Sequence, residues 1–250
     1  MAAKAALTLD GLGVEFFGLK AVDCVSMVVE DGELRVLLGA NGAGKTTLMD
    51  LVSGKTRSTT GRVYLFDTEI TNWAEHSIAR AGVGRKFQIP RVFKELTVRN
   101  NLEVAICQHR GVLPNLGLGF SKHLNRRIDE VLELTGLEGE EAKVSGDLSH
   151  GQTQWLELAL LIVQNPKVLL LDEPTAGMTQ SETLKTARII RDLKGLHTII
   201  VVEHDMAFVR EIAERITVMH LGKILAEGTI TAIENDPNVR AAYLGSQGIH

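Results

Sequence analysis

The chain has 250 residues, enough for one large domain or two closely joined ones. Apolar residues make up 44% and charged residues 23%, which supplies material for a core and excludes a disordered chain. The net charge of −4 argues against a free-standing nucleic-acid binder, and two cysteines, Cys24 and Cys107, with no Cys-x-x-Cys spacing, exclude a disulfide framework.

In chain order, Leu7-Thr8-Leu9, Val14–Phe17 and Val22–Glu30 read as short β-strands, with Gly11, Gly13, Gly18 and Asp31-Gly32 as turns between them. Leu34–Leu38 is a mostly apolar run ending at Gly39, as expected of a strand covered on both faces in a parallel sheet. Thr46–Gly54 reads as a helix closed by Gly54. From about Thr97 to Gln164 the pattern is helical, broken by a glycine-rich loop over Gly111–Gly119. After Pro166, the apolar runs Val168–Leu171 and Thr198–Val202 flank a helical stretch, Gln180–Leu193, which predicts right-handed parallel strand–helix–strand units. The longest uninterrupted apolar run, Leu158–Val163, falls far short of the ~20 residues that span a bilayer. The opening Met1–Ala6 lacks the apolar stretch of a secretory signal. The expectation is a protein kept in the cytoplasm that reaches a membrane only through a partner.

Residues Gly39-Ala40-Asn41-Gly42-Ala43-Gly44-Lys45-Thr46-Thr47 match GxxxxGK[ST], a phosphate-binding loop between a strand and a helix. Glycines let the backbone curl so that successive N–H groups face phosphate oxygens, and the helix that follows adds the positive end of its dipole. Lys45 brings a point charge to the β- and γ-phosphates, and the Thr46 hydroxyl can ligate Mg²⁺. The apolar run Val168–Leu171 ends in two carboxylates, Asp172 and Glu173. At the C-terminal end of a parallel strand such groups face the nucleotide crevice. Asp172 would hold Mg²⁺ directly or through water, and Glu173 would polarise the attacking water.

Further motifs carry a resemblance. Leu148-Ser149-His150-Gly151-Gln152, at the start of a helix, resembles the signature usually written LSGGQ in ABC-type ATPases. Gln88 resembles that family's Q-loop glutamine and His204 its switch histidine. Phe16 resembles the aromatic that stacks on adenine, with Val22 beside it and Phe17 as the alternative register, and Ala176-Gly177-Met178-Thr179 stands where the family has its D-loop. The resemblance covers nearly the whole chain. It implies an α/β P-loop NTPase fold with a mostly parallel RecA-like sheet, an antiparallel β subdomain and an inserted helical subdomain. The expected boundaries are residues 1–87 and 166–232 for the nucleotide-binding core, 88–165 for the helical signature subdomain, and 233–250 for a C-terminal tail.

The same resemblance implies the chemistry. ATP and Mg²⁺ bind the phosphate loop of one subunit, while Ser149, His150, Gly151 and Gln152 of a second subunit close over the γ-phosphate. Glu173 acts as general base, His204 positions water and steadies the transition state, and Gln88 lies against the metal and water. Two departures stand out: His150 replaces the first glycine of the signature, adding an ionisable imidazole, and Thr179 replaces the usual D-loop aspartate.

The segment Gly84–Phe93 flanks Gln88 where, by resemblance, a permease docks, with Ile89, Val92 and Phe93 as an exposed apolar cluster or as local core. Val202–Met206 and the tail around Asn235–Val239 and Tyr243-Leu244-Gly245 resemble importers of the branched-chain amino acid group. Gly54–Arg57, Gly84–Gln88, the His150 signature and Ala176–Thr179 look most like importers of urea or short-chain amides. The resemblance thus implies a homodimer, or a heterodimer with a paralogous ATPase subunit. It also implies integral membrane permeases, an external substrate-binding protein, no nucleic acid, and a place on the cytoplasmic face of the inner membrane. A branched-chain amino acid importer subunit is the alternative. A soluble ABC ATPase acting on nucleic acid would show salt-sensitive binding to DNA or RNA. A GTP-binding switch would need a guanine-reading NKxD segment, which is missing. An exporter subunit is compatible with the same motifs.

Overall fold

The computed structural model describes residues 4–86, 92–107 and 122–244. Strands β1 (Ala5–Phe16) and β2 (Leu19–Glu30) form a long antiparallel hairpin. Phe17 and Gly18 make its two-residue turn, with φ of 50° and 89°, the left-handed pair that matches the twist of the flanking strands. The sequence reading placed turns at Gly11 and Gly13; instead one strand runs through both. Register shifts between Leu9 and Leu12 and between Leu12 and Val14 absorb the extra residues as bulges. Gly11 has φ of 57°, and a Cβ on Gly13 would lie 2.6 Å from Thr60 Oγ1, so these glycines serve the bulges. Strands β4 (Thr60–Leu65) and β5 (Thr68–Glu69) complete a four-stranded sheet in the order β2-β1-β4-β5.

The second sheet has six strands: β3 (Leu34–Leu38), β6 (Val83–Lys86), β7 (Val168–Asp172), β8 (Thr198–Glu203), β9 (Arg215–His220) and β10 (Lys223–Gly228). Their order is β10-β9-β3-β8-β7-β6, parallel throughout except for β10. The expected strands and parallel pairing are present.

Period-two alternation splits the core. Leu34, Val36, Leu38, Leu169, Leu171, Ile199 and Val201 point to one cluster. That cluster takes in the helices α3 (Val98–Cys107), α4 (Lys122–Thr135), α5 (His150–Ile162), α6 (Gln180–Leu193) and α7 (Met206–Ile212). Leu37, Val168, Leu170, Ile200 and Val202 point to the opposite face, against β1, β2 and α1 (Lys45–Val52). A short helix α2 (Glu75–Ala81) leads into β6. At the chain end α8 (Ile230–Asn235) and α9 (Pro237–Leu244) bring Ile233 and Val239 into the first cluster.

One residue of the apolar run is not apolar. Arg35, fully buried in β3, pairs with Glu33 at 2.5 Å and Glu227 at 2.7 Å. It also donates to Thr217 Oγ1 at 2.8 Å and to the Val28 carbonyl at 3.0 Å. Its guanidinium ties β2, β3, β9 and β10 together.

Parallel pairing brings the strand ends to one edge: Leu38 lies opposite Glu203, Asp172 opposite Val202, and Lys86 opposite Leu171. Everything that follows these strands in sequence converges there, which is where open α/β sheets bind ligands.

Candidate functional site

The loop after β3 is shaped by what surrounds it. A Cβ on Gly39 would sit 2.6 Å from the Met219 carbonyl, and one on Gly44 would sit 2.5 Å from the Ala21 carbonyl. Gly44 adopts φ of 101° immediately before α1, whose first-turn N–H groups have no partner in the helix and face the loop. Asn41, Gly42 and Thr46 are exposed, Ala40, Gly44 and Thr47 half-buried, and Ala43 buried as the loop's anchor in the core. Lys45 is buried, and its ammonium donates to the Gly39 carbonyl at 2.7 Å and the Ala40 carbonyl at 3.1 Å. Burial pulls its pKa down, against the raising influence of Glu173, Asp172 and Glu203.

Asp172 ends β7 almost fully buried. Burial raises its pKa, opposed by the nearby Arg85 guanidinium and by a hydrogen bond with Thr46. Arg85 lies 3.8 Å from Asp172 Oδ2, too far for a hydrogen bond, and 2.5 Å from Asp50. Asp172 Oδ2 is therefore a buried carboxylate oxygen with no hydrogen-bond partner, next to an exposed threonine hydroxyl. Such an oxygen fits a hard divalent cation. Among the described residues no cluster of three or more His, Cys, Asp or Glu could cage a metal. A single carboxylate and hydroxyl, completed by phosphate and water, is the donor set that suits Mg²⁺.

Glu173 follows in a left-handed conformation, φ 46°, costly for a non-glycine residue and held by its N–H bond to the Val202 carbonyl at 3.0 Å. Its Oε1 lies 3.2 Å from His204 Nδ1, and both side chains remain partly exposed. The sequence reading missed Glu203 beside them. This buried carboxylate accepts from Thr175 Oγ1 at 2.8 Å and from the His204 N–H at 3.2 Å, and burial raises its pKa. It braces the segment after β7 against the segment after β8. The signal that picked out Asp172, a carboxylate closing an apolar strand, also marks Glu203.

Ser149 and its neighbours form a second group. Ser149 caps α5, accepting from the Gln152 N–H at 3.2 Å, while Gln152 Oε1 accepts from the Ser149 N–H at 3.0 Å. The hydroxyl proton is left to donate outward at a helix start. His150 Nε2 lies 3.1 Å from the Ala176 carbonyl. Thr179 caps α6 through a capping box with Glu182. Among the described residues no hydrogen bond or ion pair joins 149–152 to the phosphate loop. A missed pair links this group to β6: Lys86 and Glu157 are both buried 3.8 Å apart, and burial lowers the lysine pKa and raises the glutamate's.

Other sequence candidates fall differently. Phe16, at the hairpin end, is 43% exposed, whereas Phe17 stands wholly in solvent at the turn. Val22 is 1% exposed and sits in the core with Ala43 and Leu48, where it backs the phosphate loop. Gln88 and Ile89 lie outside the described residues. Phe93 is exposed, while Val92 packs on the first core cluster.

Residues 22–176 match the family model described as ABC transporter. The chain is 38% identical over 250 residues to the high-affinity branched-chain amino acid transport ATP-binding protein LivG of Salmonella typhimurium, covering 96% of this chain and 97% of that protein. It is equally similar, over the same shares, to BraF of Pseudomonas aeruginosa, which bears the same description. Among solved structures, the ADP conformation of MJ1267, an ATP-binding cassette of an ABC transporter, superposes with a TM-score of 0.84 at 30% identity, covering 96% of this chain and 99% of that one.

Proposed function

The chain belongs to the ABC transporter family, and on that premise we propose that it is the ATP-hydrolysing subunit of a branched-chain amino acid importer. What carries the reading is the constellation at one sheet edge: a phosphate loop with Lys45 and Thr46, the Asp172 oxygen left without a hydrogen bond, and Glu173 in contact with His204. Relatives described as branched-chain amino acid transport ATP-binding proteins, similar over nearly their whole length, support this cargo class. Urea and short-chain amides, the first expectation from the sequence, take second place. They rest on Gly54–Arg57, Gly84–Gln88, His150 and Ala176–Thr179.

In this reading ATP lies on the loop, its base against Phe16 and its β- and γ-phosphates on Lys45 and the α1 amides. Thr46 and Asp172 hold Mg²⁺, which supplies charge neutralisation to the phosphates. Glu173 takes the proton of the attacking water, His204 orients that carboxylate and donates toward the γ-phosphate, and Gln88 serves the metal and water. Ser149, Gly151 and Gln152 of a second ATPase subunit, a copy or a paralogue, present a helix N-terminus to the γ-phosphate. No helix among the described residues is long and apolar enough to cross a membrane. Separate permeases hold the chain at the cytoplasmic face, and an external binding protein delivers cargo.

The test is to isolate the membrane complex that contains this chain and follow ATP hydrolysis and uptake with leucine, urea and acetamide. Leucine is expected to stimulate both. Stimulation by urea or acetamide alone would move the cargo to amides, and failure of all three would remove the importer reading. The metal assignment has its own check. Asp172→Asn is expected to raise the Mg²⁺ concentration for half-maximal hydrolysis by about 10–100-fold. An unchanged Mg²⁺ titration would take Asp172 out of the metal site.

A further inference from the structure

We propose that His150 is a positioning residue that latches the start of α5 to the turn Ala176–Thr179 of the same chain, so that both segments meet a second subunit's nucleotide as one unit. This rests on the functional reading above for its role in hydrolysis.

The base of the turn is fixed without His150. Trp155 of α5 donates through Nε1 to Thr186 Oγ1 at 3.0 Å, and Thr186 Oγ1 lies 3.2 Å from Met178 Sδ. Met178 in turn packs on the first core cluster. Gly151 lies so close to α6 that a Cβ there would come 2.1 Å from Glu182 Oε1, and Glu182 also accepts from the Thr179 N–H at 2.8 Å. The tip is different: Ala176 and Gly177 are exposed. The side chain that reaches the tip from α5 is His150, whose Nε2 lies 3.1 Å from the Ala176 carbonyl.

Gly177 makes room for the ring. It adopts φ of 74°, and a Cβ there would sit 3.0 Å from His150 Nε2. A histidine merely tolerated at the first position of an exposed helix would project into water. Here it crosses to a carbonyl 26 residues away, with its ring edge against a position kept bare. The short sequence distance from Glu173 to Ala176 then ties the latch to the reacting end of β7, because Ala176 N–H donates to the Glu173 carbonyl at 3.2 Å.

The test measures amide exchange in the full chain, for the native protein, His150→Ala and His150→Gln, together with steady-state ATP hydrolysis in the assembled transporter. Loss of one hydrogen bond in His150→Ala is expected to speed exchange of the Ala176 amide, which donates to the Glu173 carbonyl at the tip, about five- to tenfold. Strands β9 and β10 should be unchanged, and KM for ATP should rise by a similar factor with a smaller change in kcat. His150→Gln, which still presents an N–H, should return both readouts to within about twofold of native. Unchanged exchange or unchanged KM in His150→Ala overturns the proposal, as does equal acceleration in His150→Gln or acceleration that extends to β9 and β10. A native complex without ATP hydrolysis would instead sink the functional reading, while the exchange result stands on its own.

Discussion

Glu173→Gln is expected to bind ATP and associate with its partner subunit as the native chain does, and to hydrolyse ATP about 10²–10⁴-fold more slowly. The geometry explains why the loss is confined to chemistry. The backbone at 173 is held in its left-handed state by the bond to the Val202 carbonyl, which a glutamine keeps. The amide oxygen can still accept from His204 Nδ1, now 3.2 Å from Glu173 Oε1, so the ring stays in place. The phosphate contacts belong to Lys45, Thr46 and the loop amides, which the substitution does not touch. What disappears is the one basic oxygen beside the site where water must lose a proton. ATP affinity by nucleotide titration and single-turnover hydrolysis separate the two effects. Near-native hydrolysis in this variant would remove Glu173 as the base and shift the role to His204 or to the phosphate itself.

Chemistry that depends on local sequence was readable before any coordinates. A phosphate loop needs only a strand, glycines and a helix start, so Gly39–Thr47 declares itself, and the helical stretch Gln180–Leu193 matches α6 end to end. What failed to show depends on neighbours far away in the chain. β1 was read as two strands because Gly11 and Gly13 look like turns until β2 and β4 are laid alongside and force bulges. The burial of Val22 shows only once the core is packed around it. Strand β6 has two charged residues in four, Arg85 and Lys86, and both are buried because Asp50, Asp172 and Glu157 wait for them on other elements. The contact between His150 and Ala176 is invisible for the same reason. Cargo choice is hardest, since in this family reading the cargo crosses the permease and never meets this chain.

Arg35→Ala is expected to cost about 3 kcal/mol of stability, which lowers the thermal midpoint of a chain this size by roughly 6–12 °C. The lost attraction is the smaller part. Arg35 is wholly buried in the central strand, while its partners Glu33 and Glu227 keep side-chain exposures of 12% and 31%. Water can thus recover some of their solvation, which places the cost at the low end of values for broken buried pairs. The Val28 carbonyl and Thr217 hydroxyl lose a donor, and the space of a guanidinium opens between the two sheets. Arg35→Lys keeps a charge but cannot reach four acceptors on three sides, so it should recover only part of the loss. The residue sits in β3, whose next turn is the phosphate loop, and β10 is held to β9 and β3 through the same guanidinium. Destabilisation should therefore appear first as loss of nucleotide affinity on warming, ahead of global unfolding. A midpoint within about 2 °C of native for Arg35→Ala would mean that hydrophobic packing alone fixes the junction of the two sheets, and that the buried guanidinium is a passenger in it.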